Sequence, residues 1–595
     1  MKTFIPCSTL VLFSLCGTVG SFCQTVTVQN QTFKIDTLYP KTGTTGLNFP
    51  WEITYGPDDS LWVTEAHGYT ITKVNPRNKN SRTVLDLNGL KDFTSPPVWP
   101  QGGLMGLALH PLLLSTKPYV YVALVYHYNT NAETPSNSSC AGSGPTGSTN
   151  PCFFKTKILR YTYNKTTGTL SSPVTVLDNL SGSNDHNSGR LKIGPLESDG
   201  NYHLYYTIGD MGAGQFNNLN RTNNAQNTDV LEGKSLRLNT EPDADVDDGA
   251  YNQWIPNDNP IDNSVTGKKM AIFTYGHRNA QGLAWGNVGG TWRLYSCEHG
   301  DVSDDELNIL EAGRNYGWPK VAGMGENNYT THDGAAYTHN DKLAGKNIDY
   351  EDTFVTNHNV RLPIFTFFSP TAATIQGFDW PTAAGHWPDI FTWWTVAPSS
   401  VDFYGYNTIP GWQNSIIVTS LKYGMFRLRL DAGGTGITGD TIRYLPGNRI
   451  RDVAINPHGD TLYFAIDNSG STSGPTGGFS GGSVNTINPG FILRMVYLAT
   501  LPIDETSPLQ PVNDRTNIRI YPNPASHQLF VECKRNTPKP LRVQLRNLDG
   551  NVMLEQTTLH DNMTIKLDGI PRGLYMVQLY NGYDIVIRTE KILVL

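Results

Sequence analysis

The chain has 595 residues, enough to bury several times the core of a small domain, so more than one domain is expected. Charged residues are 16%, the net charge is -7 and the isoelectric point is near 6.1. That balance excludes nucleic acid as a partner, because phosphate binding needs a basic surface. With 58 Gly, 29 Tyr and 12 Trp, the composition suits strands and turns rather than helical bundles or disorder.

The opening "MKTFIPCSTLVLFSLCGTVGSFCQ" has one Lys, an apolar run and then small residues, which predicts a secretory signal peptide over residues 1–23. Phe22 stands where a lipoprotein box wants a small residue, so no lipid anchor is expected. No later stretch is long and apolar enough to span a bilayer, and the mature chain is expected to be soluble. Cys140 and Cys152 bracket a loop of Gly, Ser, Thr and Pro, and in an oxidising compartment they are expected to pair. Cys297 and Cys533 are expected to stay unpaired, and neither has zinc-site spacing.

From about Phe33 to Tyr497 one unit recurs: a strand, a Gly/Pro/Asp turn, then an aromatic strand running into a polar loop. It appears in "ITYGPDDSLWVTEAHG", "PYVYVALVYHY", "DGNYHLYYTIGDMG", "VGGTWRLYSCEHG", "WQNSIIVTSLKYG" and "NPHGDTLYFAIDNSG". These six copies predict an all-β fold, a six-bladed β-propeller over residues 30–497, with an array of β-sandwiches as the alternative. In a propeller the polar loops at one end of the blades converge on the central channel.

After Tyr497 a Pro/Asp/Thr-rich linker is expected over residues 498–516, then a small C-terminal β-sandwich over residues 517–595. "YPNPA", "LDGNVM", "IPRGLYMVQL" and the final "KILVL" resemble the C-terminal sorting domain of type IX secretion cargo. The resemblance implies export across the outer membrane by that machinery, and a secreted or surface-bound protein. A carbohydrate-binding sandwich is the alternative for this segment.

The polar loops carry the chemistry. In chain order they are "WPQGG" with Gln101, "NDHNSGR" with Asp185, His186 and Arg190, "YYTIGDMG" with Asp210, and "YGHRNAQG" with His277, Arg278, Asn279 and Gln281. Then come "EHGDVSDDELNIL", "RNYGWP", "WWTVAPSS", "SLKYG" with Lys422 and "GNRIRD" with Arg449 and Arg451. Each has a plain reading as a turn, a solvated loop or a structural bridge. A histidine titrates near neutral pH and suits proton transfer. Arg449 and Arg451 share strand parity and so point to one side, as a shared anionic ligand would require. The acidic loop suits calcium, a hard cation that wants six to eight oxygens.

In this order the motifs resemble the soluble pyrroloquinoline quinone (PQQ)-dependent glucose and sorbosone dehydrogenases, from about Leu47 to Val496. The resemblance implies oxidation of an aldose at C1 to its lactone, with hydride passing to PQQ. It makes His186 the general base, with Asp210 accepting a hydrogen bond from its ring and Asp185 the adjacent alternative. Arg278 becomes the cation that stabilises charge developing on the quinone. Gln101, Arg278, Asn279, Lys422, Arg449 and Arg451 are implied to bind PQQ, and Gln101 and Trp393 to meet the sugar. One calcium is implied on the main-chain carbonyls of Gly300 and Asp301, and a further structural calcium around Asp305, Glu306 and Tyr316. Departures from the family pattern are "TEA" with Ala66, "QGG", Asp301 where the glucose enzyme has Pro, and the stretch from Ala322 to Ala384. Two other functions stay open: a propeller that binds a sugar or protein without catalysis, and a calcium-dependent propeller lactonase. Neither needs three cations facing a tricarboxylate. The partners implied are an aldose, an electron acceptor of unassigned kind and a second copy of the chain in a homodimer.

Overall fold

The computed structural model describes residues 14–15, 23–41, 45–94, 99–135, 137, 140, 150–214, 218, 221–244, 252–301, 303–328, 351–376, 394–468, 487–498, 518–533, 541–547, 552–560, 562–580 and 586–595. Most of the expected signal peptide and of the linker, and Trp393, lie outside the described residues. The chain separates into two compact units, one built mainly on Ile35–Val496 and the other mainly on Tyr497–Leu595.

Among the described residues the larger unit carries six antiparallel sheets in sequence order. Their lead strands are Pro50–Tyr55, Leu104–Leu109, Leu191–Ile193, Asn279–Val288, Pro398–Tyr404 and Ile450–Ile455. In the first five, three further strands follow, each paired with the one before it. The sixth differs: Thr461–Ile466 and Ile492–Leu498 are followed by Gln31–Tyr39 from the start of the unit. Arg494 fastens that joint by a paired bond to Asp36, at 2.9 and 2.7 Å. Such pairing covers a strand edge that would otherwise be open.

The lead strands approach one another in order from the first sheet to the sixth, and the sixth meets the first. Named bonds mark these meetings. Thr64 Oγ1 donates to the carbonyl of Met105 (2.7 Å), Gly106 N to that of Gly189 (3.0 Å) and Arg190 Nε to that of Gln281 (2.8 Å). Further round, His299 Nε2 bonds the carbonyl of Pro398 (2.9 Å), Ser399 Oγ that of Ile450 (2.6 Å), and Ile53 N donates to Asp452 Oδ2 (2.7 Å). Gly106 is needed at its position, because a Cβ there would stand 2.4 Å from the carbonyl oxygen of Gly189.

Sequence dictates which strands go inside. "LWVTE" and "HLYYTI" are buried along their whole length, since a sheet packed on both faces wants apolar or small residues at every position. The outer strand Phe153–Asn164 alternates buried and half-exposed residues, as a half-covered face requires. Apolar clusters fill the spaces between neighbouring sheets. One joins Leu38, Ile53, Leu61 and Val63 to Ala454, Tyr463 and Ala465, and another joins Tyr295, Leu307 and Phe367 to Val401, Ile416 and Phe426.

The described helices are short, Glu351–Asn357 and Ala372–Gln376. None in the described residues is long and apolar enough to cross a membrane. Cys140 and Cys152 form a disulfide, and Cys297 is free and buried. The side chain of Cys533 lies outside the described residues.

In the second unit a three-stranded sheet (Ile518–Tyr521, Gln528–Cys533, Asn562–Lys566) and a four-stranded one (Val552–Thr558, Leu541–Arg546, Gly573–Tyr580, Val586–Val594) share one apolar core. Leu529, Val531 and Ile565 from the first meet Val543, Leu545, Val577 and Ile592 from the second.

Candidate active site

The polar loops gather where the lead strands begin and the second strands end. His186 sits in the turn before the third lead strand, and Asp210 follows the strand beside it. His186 Nδ1 lies 2.7 Å from Asp210 Oδ1, with both side chains buried. Asp210 is itself held at four points: Gly212 N donates to Oδ1 (2.9 Å), Trp318 Nε1 (2.7 Å) and Asn223 Nδ2 (3.2 Å) donate to Oδ2, and Asp210 N donates to the carbonyl of Arg278 (2.8 Å). These donors hold the carboxyl group in place, aimed at the ring. A carboxylate oxygen accepts, so this contact favours the ring tautomer that carries its hydrogen on Nδ1. Asp185 is more distant, 3.7 Å from Nε2, and its Oδ1 caps the His186 backbone N at 3.0 Å.

The turn itself is strained. His186 and Ser188 have φ of 53° and 54°, and Gly189 follows at 93°. Left-handed backbone at a non-glycine residue costs roughly 1–3 kcal/mol and persists only where the surroundings over-determine it. Here Asn187 N donates to Gln101 Oε1 and Asn187 Nδ2 to the Gln101 carbonyl, both at 2.8 Å, and Ser188 Oγ donates to Asn279 Oδ1 at 3.1 Å. Gln101 is thereby brought beside His186, and its Nε2 lies 3.3 Å from Asp185 Oδ1.

The fourth sheet supplies Arg278 and Asn279. Glu298 accepts a bond from Arg278 N and another from His277 Nδ1 at 2.8 Å, while His277 stacks on Tyr316 at 4.6 Å. The Arg278 guanidinium is 3.4 Å from Asp301 Oδ1 and 5.3 Å from the Trp318 ring centroid. Asn279 is fully buried, and among the described residues its Nδ2 has no hydrogen-bond partner. A buried donor without an acceptor is costly unless something else fills the site.

From the fifth and sixth sheets come Lys422, Arg449 and Arg451. Lys422 Nζ donates to Thr395 Oγ1 at 2.7 Å, and its charge acts on Asp305. Arg449 and Arg451 both reach Asp467 Oδ2, Arg449 Nε at 3.5 Å. Burial brings Arg449 down to about 10, with Asp467 opposing the shift and Arg451 adding to it. The loops converge electrostatically too: burial holds His299 well below its usual value, and Arg278, His186 and Arg451 push it further the same way.

The acidic loop divides its labour. Asp305 accepts three backbone amides, Gly300 N (2.9 Å), Val396 N (2.5 Å) and Ala397 N (2.9 Å), and thereby clasps the 300 and 396 segments together. The Tyr316 hydroxyl is likewise taken by the backbone of Ile309 and Glu311. Burial pushes the Asp305 carboxyl up to about 6, and burial, with Glu298 and Asp304 close by, holds that of Glu306 well above the usual range. Among the described residues no three His, Cys, Asp or Glu side chains are placed to hold one metal ion by themselves.

Sequence reasoning missed Trp318, Asn223, Glu298 and Asp467 as partners of the site residues. Trp318 stands in the quoted "RNYGWP" and Asp467 in "AIDNSG", but nothing in one sequence says which distant residue each will meet.

Residues 47–357 and 375–473 match the sequence model of the family described as Glucose / Sorbosone dehydrogenase. The chain belongs to that family of oxidoreductases. Residues 519–594 match the Secretion system C-terminal sorting domain, which marks the chain for export to the surface or the medium. Among relatives, the chain is 34% identical over 486 residues to quinoprotein glucose dehydrogenase B of Acinetobacter calcoaceticus, covering 76% of this chain and 90% of that protein. It is 29% identical over 289 residues to an aldose sugar dehydrogenase of Escherichia coli, covering 48% and 58%. Among solved structures, the PQQ-bound aldose sugar dehydrogenase of Streptomyces coelicolor aligns with a TM-score of 0.46 at 23% identity, over 78% of this chain and 98% of that one.

Proposed function

We propose that the larger unit is a six-bladed β-propeller that oxidises an aldose at C1 to its lactone, using PQQ, with His186 as general base. The buried 2.7 Å bond between His186 and Asp210 carries this reading, because it fixes the ring and makes Nε2 the nitrogen that would meet a substrate hydroxyl. The cyclic order of lead-strand contacts supports the propeller, and the two sheets around one core support a C-terminal β-sandwich.

His186 Nε2 would take the C1 hydroxyl proton, and Asp210 would stabilise the imidazolium formed. Arg278 would stand against the negative charge that develops on the acceptor's oxygens. When bound, PQQ supplies the two-electron acceptor for hydride. The residues present suit it: Lys422, Arg449 and Arg451 offer cations to a tricarboxylate, and the orphan Nδ2 of Asn279 offers a donor to the ring system, with Gln101 nearby. Gln101 and Trp393 are the proposed sugar contacts.

Calcium is proposed on the carbonyls of Gly300 and Asp301, beside a buried Asp301 carboxylate. A further structural calcium near Glu306 would answer the excess of buried negative charge there. Asp305 and Tyr316 would serve it indirectly, since their own oxygens are engaged by backbone. The proposed boundaries are a signal peptide at 1–23, the dehydrogenase at 30–497, the linker at 498–516 and the sorting domain at 517–595. Delivery by type IX machinery and a homodimer complete the proposal.

The test is direct. The full chain is loaded with PQQ and calcium, and dye reduction is followed across a panel of aldoses. His186→Gln should abolish turnover while quinone uptake is kept. Equal rates in variant and parent would refute the base assignment.

A further inference from the structure

Arg190 is 2% exposed and joins its own sheet to four others. Its Nη1 donates to Glu52 Oε2 at 2.5 Å and to Asp452 Oδ2 at 3.0 Å, on the first and sixth lead strands. Nε donates to the carbonyl of Gln281 at 2.8 Å and Nη2 to that of Ser399 at 3.0 Å, on the fourth and fifth sheets. The guanidinium also lies 4.2 Å from the Trp51 ring centroid. So the side chain cannot shift without breaking bonds to several sheets at once.

Its backbone is equally committed. Arg190 N donates to Thr207 Oγ1 at 3.0 Å, Thr207 N donates back to the Arg190 carbonyl at 3.1 Å, and Gly189 N donates to the Thr207 carbonyl at 2.9 Å. Immediately before this anchor come the left-handed residues His186, Ser188 and Gly189. A turn with such backbone does not hold itself and needs a fixed point at each end. One end is Ser183, whose N donates to Asn187 Oδ1 at 2.8 Å. The other is Arg190.

We infer that Arg190 is the positioning residue for His186, an axial pin whose ties to Glu52, Asp452, Gln281 and Ser399 hold the His186–Gly189 turn in the conformation that presents the ring to Asp210. The inference rests on the base assignment above and deepens it. Arg190 acts through the backbone between it and His186. Lysine cannot replace it, because one ammonium lacks the fork that serves two carboxylates and two carbonyls together.

A merely structural pin would cost stability and leave the ring alone, so the test reads the ring. Arg190→Lys and Arg190→Ala are made in the full chain, alongside His186→Gln. Nitrogen-15-labelled histidine spectra, in which the His186 signal is the one missing from His186→Gln, report its tautomer without any turnover. Quinone uptake is titrated, and kcat and KM for an aldose are measured on the loaded enzyme. Arg190 also lines a cavity of about 120 Å3 shared with Glu52, Lys192, Asp402 and Asp452. Guanidinium ion can therefore be offered to Arg190→Ala as a detached replacement.

Arg190→Lys is expected to melt cooperatively and take up quinone as the parent does. Its His186 signal shifts, and kcat falls about tenfold or more while KM moves little. Folded Arg190→Ala regains part of its lost kcat in millimolar guanidinium. An unshifted ring signal with parental kcat in Arg190→Lys overturns the inference. So does a loss of kcat matched by an equal loss of quinone uptake with the ring unmoved. If Arg190→Ala does not fold, Arg190→Lys decides alone. A parent that fails to turn over aldoses sinks the base assignment instead, while the ring spectra still report whether Arg190 sets the His186 tautomer.

Discussion

His186 Nδ1 and Asp210 Oδ1 stand 2.7 Å apart in a site from which both side chains are almost wholly excluded from water. The partners of Asp210 on its other oxygen are the Trp318 indole and the Asn223 amide, which aim the acid at the ring. Asp210→Asn should keep the contacts but can present an amide hydrogen to Nδ1, reversing the tautomer. We expect kcat to fall by about a hundredfold or more with KM little changed, in steady-state dye reduction. A variant within a factor of three of the parent would remove Asp210 from the mechanism.

Arg449 and Arg451 share the single carboxylate of Asp467. With Lys422 they leave a surplus of positive charge that suits a polyanion. Arg451→Ala should weaken PQQ uptake by about ten- to a hundredfold, the usual worth of one buried charge-assisted bond. Equilibrium titration of the quinone checks this, and unchanged affinity would contradict the assigned ligand set.

His299 is held neutral by burial and by the cations around it, well below the ordinary 6.5. The unfolded chain binds that proton below about pH 6.5 and the folded one does not, so the folded state loses stability as pH falls below that value. His299→Asn should flatten this acid slope relative to the parent in melts between pH 7 and pH 5 (values chosen about the ordinary histidine range). An identical slope in the two proteins would deny His299 that part.

Calcium removal should act on the quinone site. Chelation with EGTA is expected to lower quinone uptake and dye reduction together, and added calcium to restore both, because the carbonyls of Gly300 and Asp301 belong to the loop that also holds the Arg278 partner. Full retention of both activities after exhaustive chelation would exclude calcium from this site.

The Cys140–Cys152 disulfide lies in the apolar cluster that holds the buried Phe154, with the half-buried Tyr128 hydroxyl 3.6 Å from Cys140 Sγ. Cys140→Ser with Cys152→Ser should cost about 2–4 kcal/mol of stability, read by denaturant unfolding, with turnover retained by the folded fraction.

Local chemistry was legible in the sequence because it depends on neighbours along the chain. The turn residues of "GPDDS", the all-apolar "LMGLAL" and the alternation of "FFKTKILRYTYN" each prescribe their own backbone and burial, and the all-β class follows from them. Arg449 and Arg451 do meet one carboxylate, Asp467, but Arg449 precedes the sixth lead strand and the ladder shifts register between Ile450 and Asp452, so strand parity is not what joins them. What the sequence could not decide is which residues meet from far apart. Trp318 against Asp210, Glu298 under Arg278, and Arg190 against Glu52 and Asp452 are separated by 108, 20, 138 and 262 positions. Pairing within the fourth sheet brings Glu298 to Arg278, and the packing of sheet on sheet brings the others together. Asp305 shows the same limit: its sequence reads as a metal ligand, yet the fold sends backbone amides of 396 and 397 to its oxygens. A carboxylate bonds whatever donor the tertiary structure delivers, and that delivery is written in no local pattern.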